Sequence, residues 1–248
     1  MIVKNESHII TDKLDKLLNK VPIDYYVICD TGSRDNTKDL ILTFFQSKKI
    51  DGELYDHEWR DFGTNRSKAL ELAYGKSEYV LVFDADDEIH GDLILPVDLT
   101  FDKYNLKIGD SFVYYRPLLL NNSKKWNFIG VLHEFLSTTE PHITETILTG
   151  NYHIQSGREG NRSKDTFKYL NDANTLKQAH ESIQFTDPKL ASRYAFYCAQ
   201  SYKDAGTNYK SNAIEWYSKV LTLSSSWEQE KYYSCIMLGK LHDDNFKK

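Results

Sequence analysis

The chain contains the stretch Tyr79-Val80-Leu81-Val82-Phe83-Asp84-Ala85-Asp86-Asp87-Glu88, in which five uninterrupted apolar residues run into four carboxylates packed within five positions. An apolar run of this length is typical of a strand buried on both faces, as in a parallel sheet. Open α/β sheets bind ligands at the carboxyl ends of their strands. Crowded carboxylates in a cleft shift a pKa or require a cation. The stretch indicates either a site for a hard divalent metal or, more plainly, an acidic and solvated turn, and the rest of the chain favours the metal.

Composition limits the classes of protein that fit. At 248 residues the chain can bury a sizeable core, as one large domain or one domain with a small appendage. With 31 Lys and Arg against 36 Asp and Glu, the net charge of -5 gives no electrostatic footprint for nucleic acid or an anionic membrane. The 17 Tyr and 12 Phe exclude a disordered tail.

The cysteines and the hydropathy pattern bear on the compartment. Cys29, Cys198 and Cys235 each fall in an apolar stretch without metal-ligand spacing, which favours buried free thiols in a reducing compartment. No apolar run reaches about eighteen residues, and the first residues do not resemble a signal peptide. We therefore expect a cytoplasmic protein without a transmembrane segment.

Strands and helices are predicted to alternate through the first third of the chain. Apolar runs predict strands at residues 1–3, 25–29, 53–55 and 79–83, and helical spacing predicts helices at residues 10–21, 40–45 and 69–73. Small and Asx residues at 30–35 indicate a turn, and Thr64 is expected to cap the third helix. Four such alternations predict a parallel α/β sheet whose functional loops collect on one edge.

The pattern changes after Glu88. Residues 111–120, 128–136 and 144–154 are predicted to be extended and to add mixed or antiparallel strands. From Lys164 onward the pattern is helical, and two helices there resemble a tetratricopeptide repeat through Ala195, Cys198, Ala199 and Tyr202 on the first and Ala213, Tyr217 and Val220 on the second. A further helix is predicted at residues 228–241. A solenoid requires more repeats than these. We therefore expect that the repeats dock on the α/β domain or that the chain has been cut short.

Five short motifs follow predicted strands or open predicted helices. They are Met1-Ile2-Val3-Lys4-Asn5-Glu6, Asp30-Thr31-Gly32-Ser33-Arg34-Asp35-Asn36-Thr37, Asp61-Phe62-Gly63-Thr64-Asn65-Arg66, Asp84-Ala85-Asp86-Asp87-Glu88 and His133-Glu134. In this order they resemble glycosyltransferase family 2, and above all its members with tetratricopeptide-like helices after the catalytic domain. The resemblance implies a catalytic domain over residues 1–160, of the GT-A fold with a Rossmann-like mixed sheet flanked by helices. An all-α tetratricopeptide-like region would follow over residues 161–248.

The resemblance also implies an activity and a cofactor. The chain would be a metal-dependent, inverting glycosyltransferase that moves a hexose or N-acetylhexosamine from a nucleotide sugar to an acceptor hydroxyl. Asp84 and Asp86 match the DxD motif of the family, with Asp86 as the direct metal ligand and Asp84 nearer the ribose or the waters of the metal. Oxygen ligands suit Mn²⁺ or Mg²⁺. His153 lies where similar enzymes place a metal-binding histidine, although a lone histidine is often structural.

Four further residues are expected at the nucleotide by the same resemblance. Asp30 matches the acidic residue that accepts a hydrogen bond from uracil, and Arg66 matches a basic residue beside the same nucleotide. Val3 and Glu6 would line the base pocket. The implied donor is therefore a UDP-sugar, with the sugar itself left open.

The chemical step requires a base, because the acceptor hydroxyl loses a proton as it attacks the anomeric carbon. Glu134 matches the family position of that base. His133 would either orient it or compete with His153 for the metal. Trp126 would present an aromatic face to a sugar ring, although a core tryptophan is the commoner fate of such a residue.

Two other functions remain open. A nucleotidyltransferase would require a Gly-rich, basic phosphate loop near the start, where Lys4-Asn5-Glu6 is a poor match. An inactive transferase-like module would present its C-terminal helices to a protein partner, but the intact Asp84, Asp86 and Glu134 argue against it. The partners expected for the enzyme are the nucleotide-sugar donor and a glycan, protein or lipid-linked acceptor, with no nucleic acid.

Overall fold

The chain forms two compact units in a computed structural model that describes residues 1–243. The first unit comprises residues 1–129 and 135–164. The second comprises Asp165–Lys248, described as far as residue 243, together with the loop Gly130–Glu134. The domain boundary expected at residues 160 and 161 stays a prediction.

The first unit begins with three strands and three helices in strict alternation. They are β1 (Ile2–Val3), α1 (Ile10–Leu18), β2 (Tyr25–Asp30), α2 (Thr37–Lys48), β3 (Asp51–Asp56) and α3 (Phe62–Ala73). The strands form a parallel sheet in the order β1-β2-β3. Helical spacing puts Ile10 and Leu14 on the buried face of α1, and Ile41 and Phe45 on that of α2. These side chains form one core with Val3 and Ile28 of the sheet.

A second sheet and a hairpin complete the first unit. The strands are β4 (Tyr79–Leu81), β5 (Glu88–Gly91), β6 (Lys103–Ile108), β7 (Tyr114–Asn121), β8 (Asn127–Ile129), β9 (Phe135–Ser137), β10 (Glu145–Ile147) and β11 (Tyr152–Gln155). The second sheet has the order β4-β7-β6-β11-β5, with β10 also paired to β6, and β8 and β9 pair with each other. It is mixed, since β11 runs parallel to β6 and antiparallel to β5. Burial alternates along β6 through Tyr104, Leu106 and Ile108, as expected for a strand with one face on the core.

The prediction of one parallel sheet through β4 is wrong. β4 pairs antiparallel with β7, with Val80 opposite Leu120, and not with the N-terminal sheet. The physical reason is that β1 is short. It has two residues and pairs only with the last two residues of β2. An apolar cavity of about 170 Å³ is lined from both β2 and β4. β4 itself is also shorter than predicted. Val82 and Phe83 were expected to belong to it and are buried, but they lie outside the strand.

The described part of the second unit contains four α-helices. They are α4 (Lys168–Ile183), α5 (Pro188–Asp204), α6 (Lys210–Thr222) and α7 (Glu228–Asp243). Each packs against the next along the chain. α5 begins where the Asp187 carboxylate accepts a hydrogen bond from the Leu190 amide at 3.0 Å and Pro188 occupies the first turn. The helical C-terminal region and the mixed α/β fold class are confirmed, and the likeness to a tetratricopeptide repeat stays a prediction.

Two smaller expectations can be compared with the structure. Cys29 and Cys198 are buried, but Cys235 is exposed, so the prediction of three buried thiols is wrong for the cysteine on α7. Among residues 1–243, no helix combines the length and hydropathy that a bilayer span requires.

Candidate active site

The site begins at the N-terminus of α3, where Asp61 and not Thr64 caps the helix. Asp61 is extended, and its Oδ1 accepts a hydrogen bond from the Thr64 amide at 2.7 Å while its Oδ2 accepts one from the Thr64 hydroxyl at 2.7 Å. The prediction of a Thr64 cap is therefore wrong, because the carboxylate one turn earlier satisfies the free amide. Asn65 ties the loop before the helix by accepting from the Arg60 amide and donating to the Glu58 carbonyl, both at 2.9 Å. These bonds fix the turn of α3 that carries Arg66.

Arg66 forms an ion pair with Asp84, the first carboxylate after β4. The distance from Nη1 to Oδ1 is 2.6 Å, and the Arg66 side chain is only 10% exposed. Burial by itself raises the pKa of Asp84, but the charge and hydrogen bond of Arg66, with a smaller contribution from Arg116, outweigh it and hold the pKa below its ordinary value. Asp84 is therefore ionised at neutral pH, and the protein itself supplies its counter-charge.

Asp86 is approached by two glycines that follow β11. A Cβ atom on Gly157 would lie 2.0 Å from the Asp86 carbonyl oxygen, so only glycine fits there. A Cβ atom on Gly160 would lie 2.9 Å from Asp86 Oδ2 and 3.4 Å from Glu6 Oε1. The carboxylates of Asp86 and Glu6 therefore both lie beside Gly160. Among residues 1–243, no basic side chain forms an ion pair with Asp86.

Glu6 sits in this cluster with an altered affinity for its proton. Burial, and to a smaller extent the charge of Asp86, raise its pKa to about 7, although the Asn161 amide opposes the shift. That amide lies 3.2 Å from both carboxylate oxygens of Glu6. The Glu6 backbone amide donates to the hydroxyl of Thr37, at 2.8 Å, so the N-terminal motif is joined to the start of α2.

Asp87 is the second carboxyl with a raised pKa. It is 4% exposed. Burial, followed by the charges of Asp84 and Asp86, raises its pKa to about 7. The Gly157 amide donates to its Oδ1 at 3.3 Å. The cluster therefore holds more negative charge than the basic groups around it neutralise. Near pH 7, bound protons neutralise part of that charge.

Val3 and Asp30 are brought together by the register of β1 and β2, which pairs them directly. Asp30 is buried, and its Oδ1 accepts hydrogen bonds from the amides of Gly32 at 2.9 Å and Ser33 at 2.8 Å. Gly32 has a φ of 98°, which favours glycine in this turn. Asp30 Oδ2 is buried and has no hydrogen-bond partner within residues 1–243. The first two motifs are also joined at Asn5, whose amide donates to the Ser33 hydroxyl at 2.8 Å.

Trp126 and His153 make the contacts described here with residues outside this cluster. Trp126 is 8% exposed, packs in the main core and donates its indole N–H to the Asn121 carbonyl at 2.9 Å. His153 lies on β11 opposite His90, and the two rings stack with centroids 5.1 Å apart. His90 is four residues along the chain from Asp86, and β5 begins only at Glu88. Among residues 1–243, His153 belongs to no group of three potential metal ligands, and its role as a ligand stays a prediction.

Glu134, the expected base, is the last residue of the loop Gly130–Glu134, which joins β8 to β9 and belongs to the second unit. The strand before it is anchored in the first unit: Ser67, next to Arg66 on α3, accepts a hydrogen bond from the Phe128 amide at 2.8 Å.

Several residues of the cluster carried no specific prediction. The sequence predicts no role for Gly157, Gly160 or Asn161, and it indicates Asp87 only as part of the acidic run. The signal that points to them is a pair of glycines three residues apart directly after the last strand. Such a pair is typical of a backbone that passes close to another group.

The residues present fit a hard divalent cation in the type of their ligand atoms. Within residues 1–243, no three His, Cys, Asp or Glu side chains come close enough to hold a metal by themselves. Asp86 and Glu6 offer carboxylate oxygens beside Gly160, and hard divalent cations prefer oxygen ligands.

The chain is similar to known glycosyltransferases. The sequence model of Glycosyl transferase family 2 matches residues 1–159. The mannosyltransferase PcManGT from Pyrobaculum calidifontis, solved in complex with GDP-Man and Mn²⁺, is 14% identical with a TM-score of 0.47, over 99% of this chain and 85% of that chain. TarS residues 1–349 from S. aureus is 13% identical with a TM-score of 0.41, over 94% of this chain and 90% of that chain. No curated protein matches the chain.

Proposed function

The chain belongs to glycosyl transferase family 2 and is a glycosyltransferase, and we propose that it is a metal-dependent, inverting member that uses a UDP-sugar as its donor. One observation carries this proposal: after β4, Arg66 neutralises Asp84, whereas Asp86 lies near Glu6 without a cation among the described residues. The reaction transfers a sugar from the donor to an acceptor hydroxyl and releases the nucleoside diphosphate.

The nucleotide is proposed to bind at the ends of β1 and β2. The unpartnered Oδ2 of Asp30 supports this, because a buried acceptor without a hydrogen bond is costly and the uracil N–H would satisfy it. Val3, paired with Asp30, and Glu6 would line the same pocket. Arg66 would stand beside the nucleotide and keep Asp84 ionised for the ribose.

The metal ligand of the protein is proposed to be Asp86. A bound Mn²⁺ or Mg²⁺ would neutralise the charge that develops on the diphosphate leaving group. Glu6 would act near it as an adjustable charge, since its pKa of about 7 lets it lose its proton when a cation binds. We assign His153 no ligand role, because its ring stacks on that of His90, and we assign Trp126 to the core.

Glu134 is proposed to act as the general base. Its carboxylate would accept the proton of the acceptor hydroxyl as that oxygen attacks the anomeric carbon and the bond to the diphosphate breaks. A single displacement of this kind inverts the configuration at that carbon, and no covalent intermediate with the protein forms.

Calorimetric titration of UDP with and without Mn²⁺ tests the metal role. The wild type should bind UDP far more tightly with Mn²⁺, and Asp86→Ala should remove that difference without unfolding the chain. Asp92→Ala, which removes a carboxylate that is 81% exposed, is the matched control and should behave as the wild type. Equal affinity with and without Mn²⁺ in the wild type would show that the metal role is wrong.

The role of the base is tested by Glu134→Gln, which keeps the size and hydrogen bonding of the side chain but cannot accept the proton. Transfer, or hydrolysis with water as acceptor, should fall by roughly 10²-fold or more while donor affinity stays close to wild type. A variant that turns over at the wild-type rate would remove Glu134 from the mechanism.

A further inference from the structure

The loop that carries Glu134 has a backbone that requires support. Gly130 has a φ of 116° and His133 a φ of 52°. A non-glycine residue in the left-handed region is uncommon and persists where surrounding contacts hold it. The loop is also tight, because a Cβ atom on Gly130 would lie 3.2 Å from the Glu134 Cα.

Three residues of α5 supply that support. The Val131 amide donates to the Tyr194 hydroxyl at 3.0 Å. The His133 carbonyl accepts from both Nε and Nη2 of Arg193, at 3.1 and 2.9 Å. The His133 ring stacks on Tyr197 with centroids 3.9 Å apart and planes 8° from parallel. Positions 193, 194 and 197 fall within about one turn of a helix, so a single helical segment holds the loop at both its second and its fourth residue.

Arg193 is itself held in place. Its guanidinium lies 4.8 Å from the centroid of the Tyr197 ring. Its Nη1 lies 3.7 Å from a carboxylate oxygen of Glu230 on α7, whose side chain is 8% exposed. The planar, forked guanidinium therefore has a fixed orientation when it meets the His133 carbonyl.

We propose that Arg193, Tyr194 and Tyr197 are positioning residues for the base, so that α5 sets the orientation from which Glu134 acts. The carbonyl that Arg193 holds belongs to the peptide bond between His133 and Glu134. Because a peptide unit is planar, fixing that oxygen also fixes the direction in which the Glu134 backbone leaves the bond. This inference rests on the proposed role of Glu134.

The helical region then has a part in catalysis and is more than an appendage. If the contacts to α5 are lost, Glu134 keeps its chemistry but samples more orientations. Productive geometry tolerates little displacement, and a shift of about 1 Å costs roughly 10²-fold in rate. Binding of the donor does not depend on this loop in the proposed function, so the effect should fall on kcat and spare donor affinity.

The experiment compares α5 variants by donor hydrolysis at saturating UDP-sugar and by donor affinity from calorimetry. Arg193→Met and Tyr197→Leu should lower kcat by about 10-fold to 100-fold with donor Kd within about twofold of wild type. Tyr197→Phe keeps the stacked ring and should recover most of the rate. Lys189→Ala, an exposed change in the first turn of α5, is the control and should leave kcat unchanged.

A second measurement does not depend on activity. Tyr194→Phe removes only the oxygen that accepts from the Val131 amide, so it should fold, and hydrogen exchange at that amide should become faster. This variant keeps the inference testable if Arg193→Met does not fold.

The outcomes separate the inference from the proposed function. If Glu134→Gln loses activity while the Arg193 and Tyr197 variants hydrolyse the donor at the wild-type rate, the positioning role is overturned and the base stands. Unchanged exchange at Val131 in Tyr194→Phe would overturn the contact of α5 with the loop. If Glu134→Gln is fully active, the base itself is wrong and the inference fails with it.

Discussion

Replacing Arg66 with Met should destabilise the protein by leaving the Asp84 carboxylate without its cation. The pair is short, 2.6 Å, and its side chains are 10% and 26% exposed. Removing one partner of a buried pair costs about 3–5 kcal/mol. Because Asp84 keeps some contact with solvent, we expect the lower end, about 3 kcal/mol at pH 7. For a chain of this size that corresponds to a fall in Tm of roughly 6–12 °C.

The loss should depend on pH in a definite direction. In the wild type the pKa of Asp84 is lowered overall, because Arg66 outweighs the opposing effect of burial. The stability from this group is therefore present above the pKa of the unfolded chain and is lost as pH falls through the folded pKa. In Arg66→Met the buried carboxylate instead gains a proton readily on acidification. The difference in unfolding free energy between the two proteins should therefore shrink on acidification, beginning above the ordinary carboxyl pKa of about 4.

Denaturant and thermal unfolding of three variants provide the measurement. Arg60→Met, an exposed change in the loop before α3, is the matched control and should shift stability by less than about 0.5 kcal/mol. Adding Asp84→Asn to Arg66→Met should recover part of the loss, since it removes the unpaired charge. A loss below about 1 kcal/mol at pH 7, or one that does not change with pH, would refute the electrostatic reasoning.

Three further changes test separate parts of the structure. In the metal-free protein, a folded carboxyl with a pKa of about 7 makes the unfolding free energy fall as pH rises, so Asp87→Asn should flatten that fall between pH 5 and pH 8. A steeper fall, measured by urea denaturation, would contradict this. Gly160→Ala should weaken Mn²⁺-dependent UDP binding roughly tenfold by displacing the Asp86 carboxylate, and unchanged calorimetric affinity would speak against that position. Asp187→Ala should cost about 1 kcal/mol of unfolding free energy by removing the α5 cap, whereas no loss would mean that the cap is redundant.

Much of the fold was predictable because its signals are local. The spacing of Ile10 and Leu14 predicts α1, and the alternation of strands and helices predicts the β1-β2-β3 sheet. The family resemblance of the five motifs is confirmed by the match over residues 1–159. The partner of β4 was not predictable in this way. Periodicity identifies a strand but not the neighbour with which it pairs, and β7 lies about forty residues further along the chain.

The candidate site was likewise only partly predictable from the sequence. The Asp84 to Asp87 cluster was visible in the sequence, whereas its pairing with Arg66 and its approach by Gly157 and Gly160 depend on tertiary contacts. The grouping of Glu134 with α5 was also hidden, because His133 and Arg193 are 60 residues apart in the chain. No local pattern relates residues at such a separation.

The products formed from a nucleotide sugar decide whether the carboxylate cluster carries out glycosyl transfer. The protein would be incubated with Mn²⁺ and UDP-glucose, UDP-galactose or UDP-N-acetylglucosamine, and UDP, free sugar and pyrophosphate would be quantified by chromatography. We expect UDP and free sugar in equal amounts from at least one donor, and loss of both in Asp86→Ala. Release of pyrophosphate in a parallel incubation with UTP and a sugar 1-phosphate in place of the UDP-sugar would indicate a nucleotidyltransferase, and no turnover of any donor would indicate an interaction module; either result would contradict the proposed mechanism.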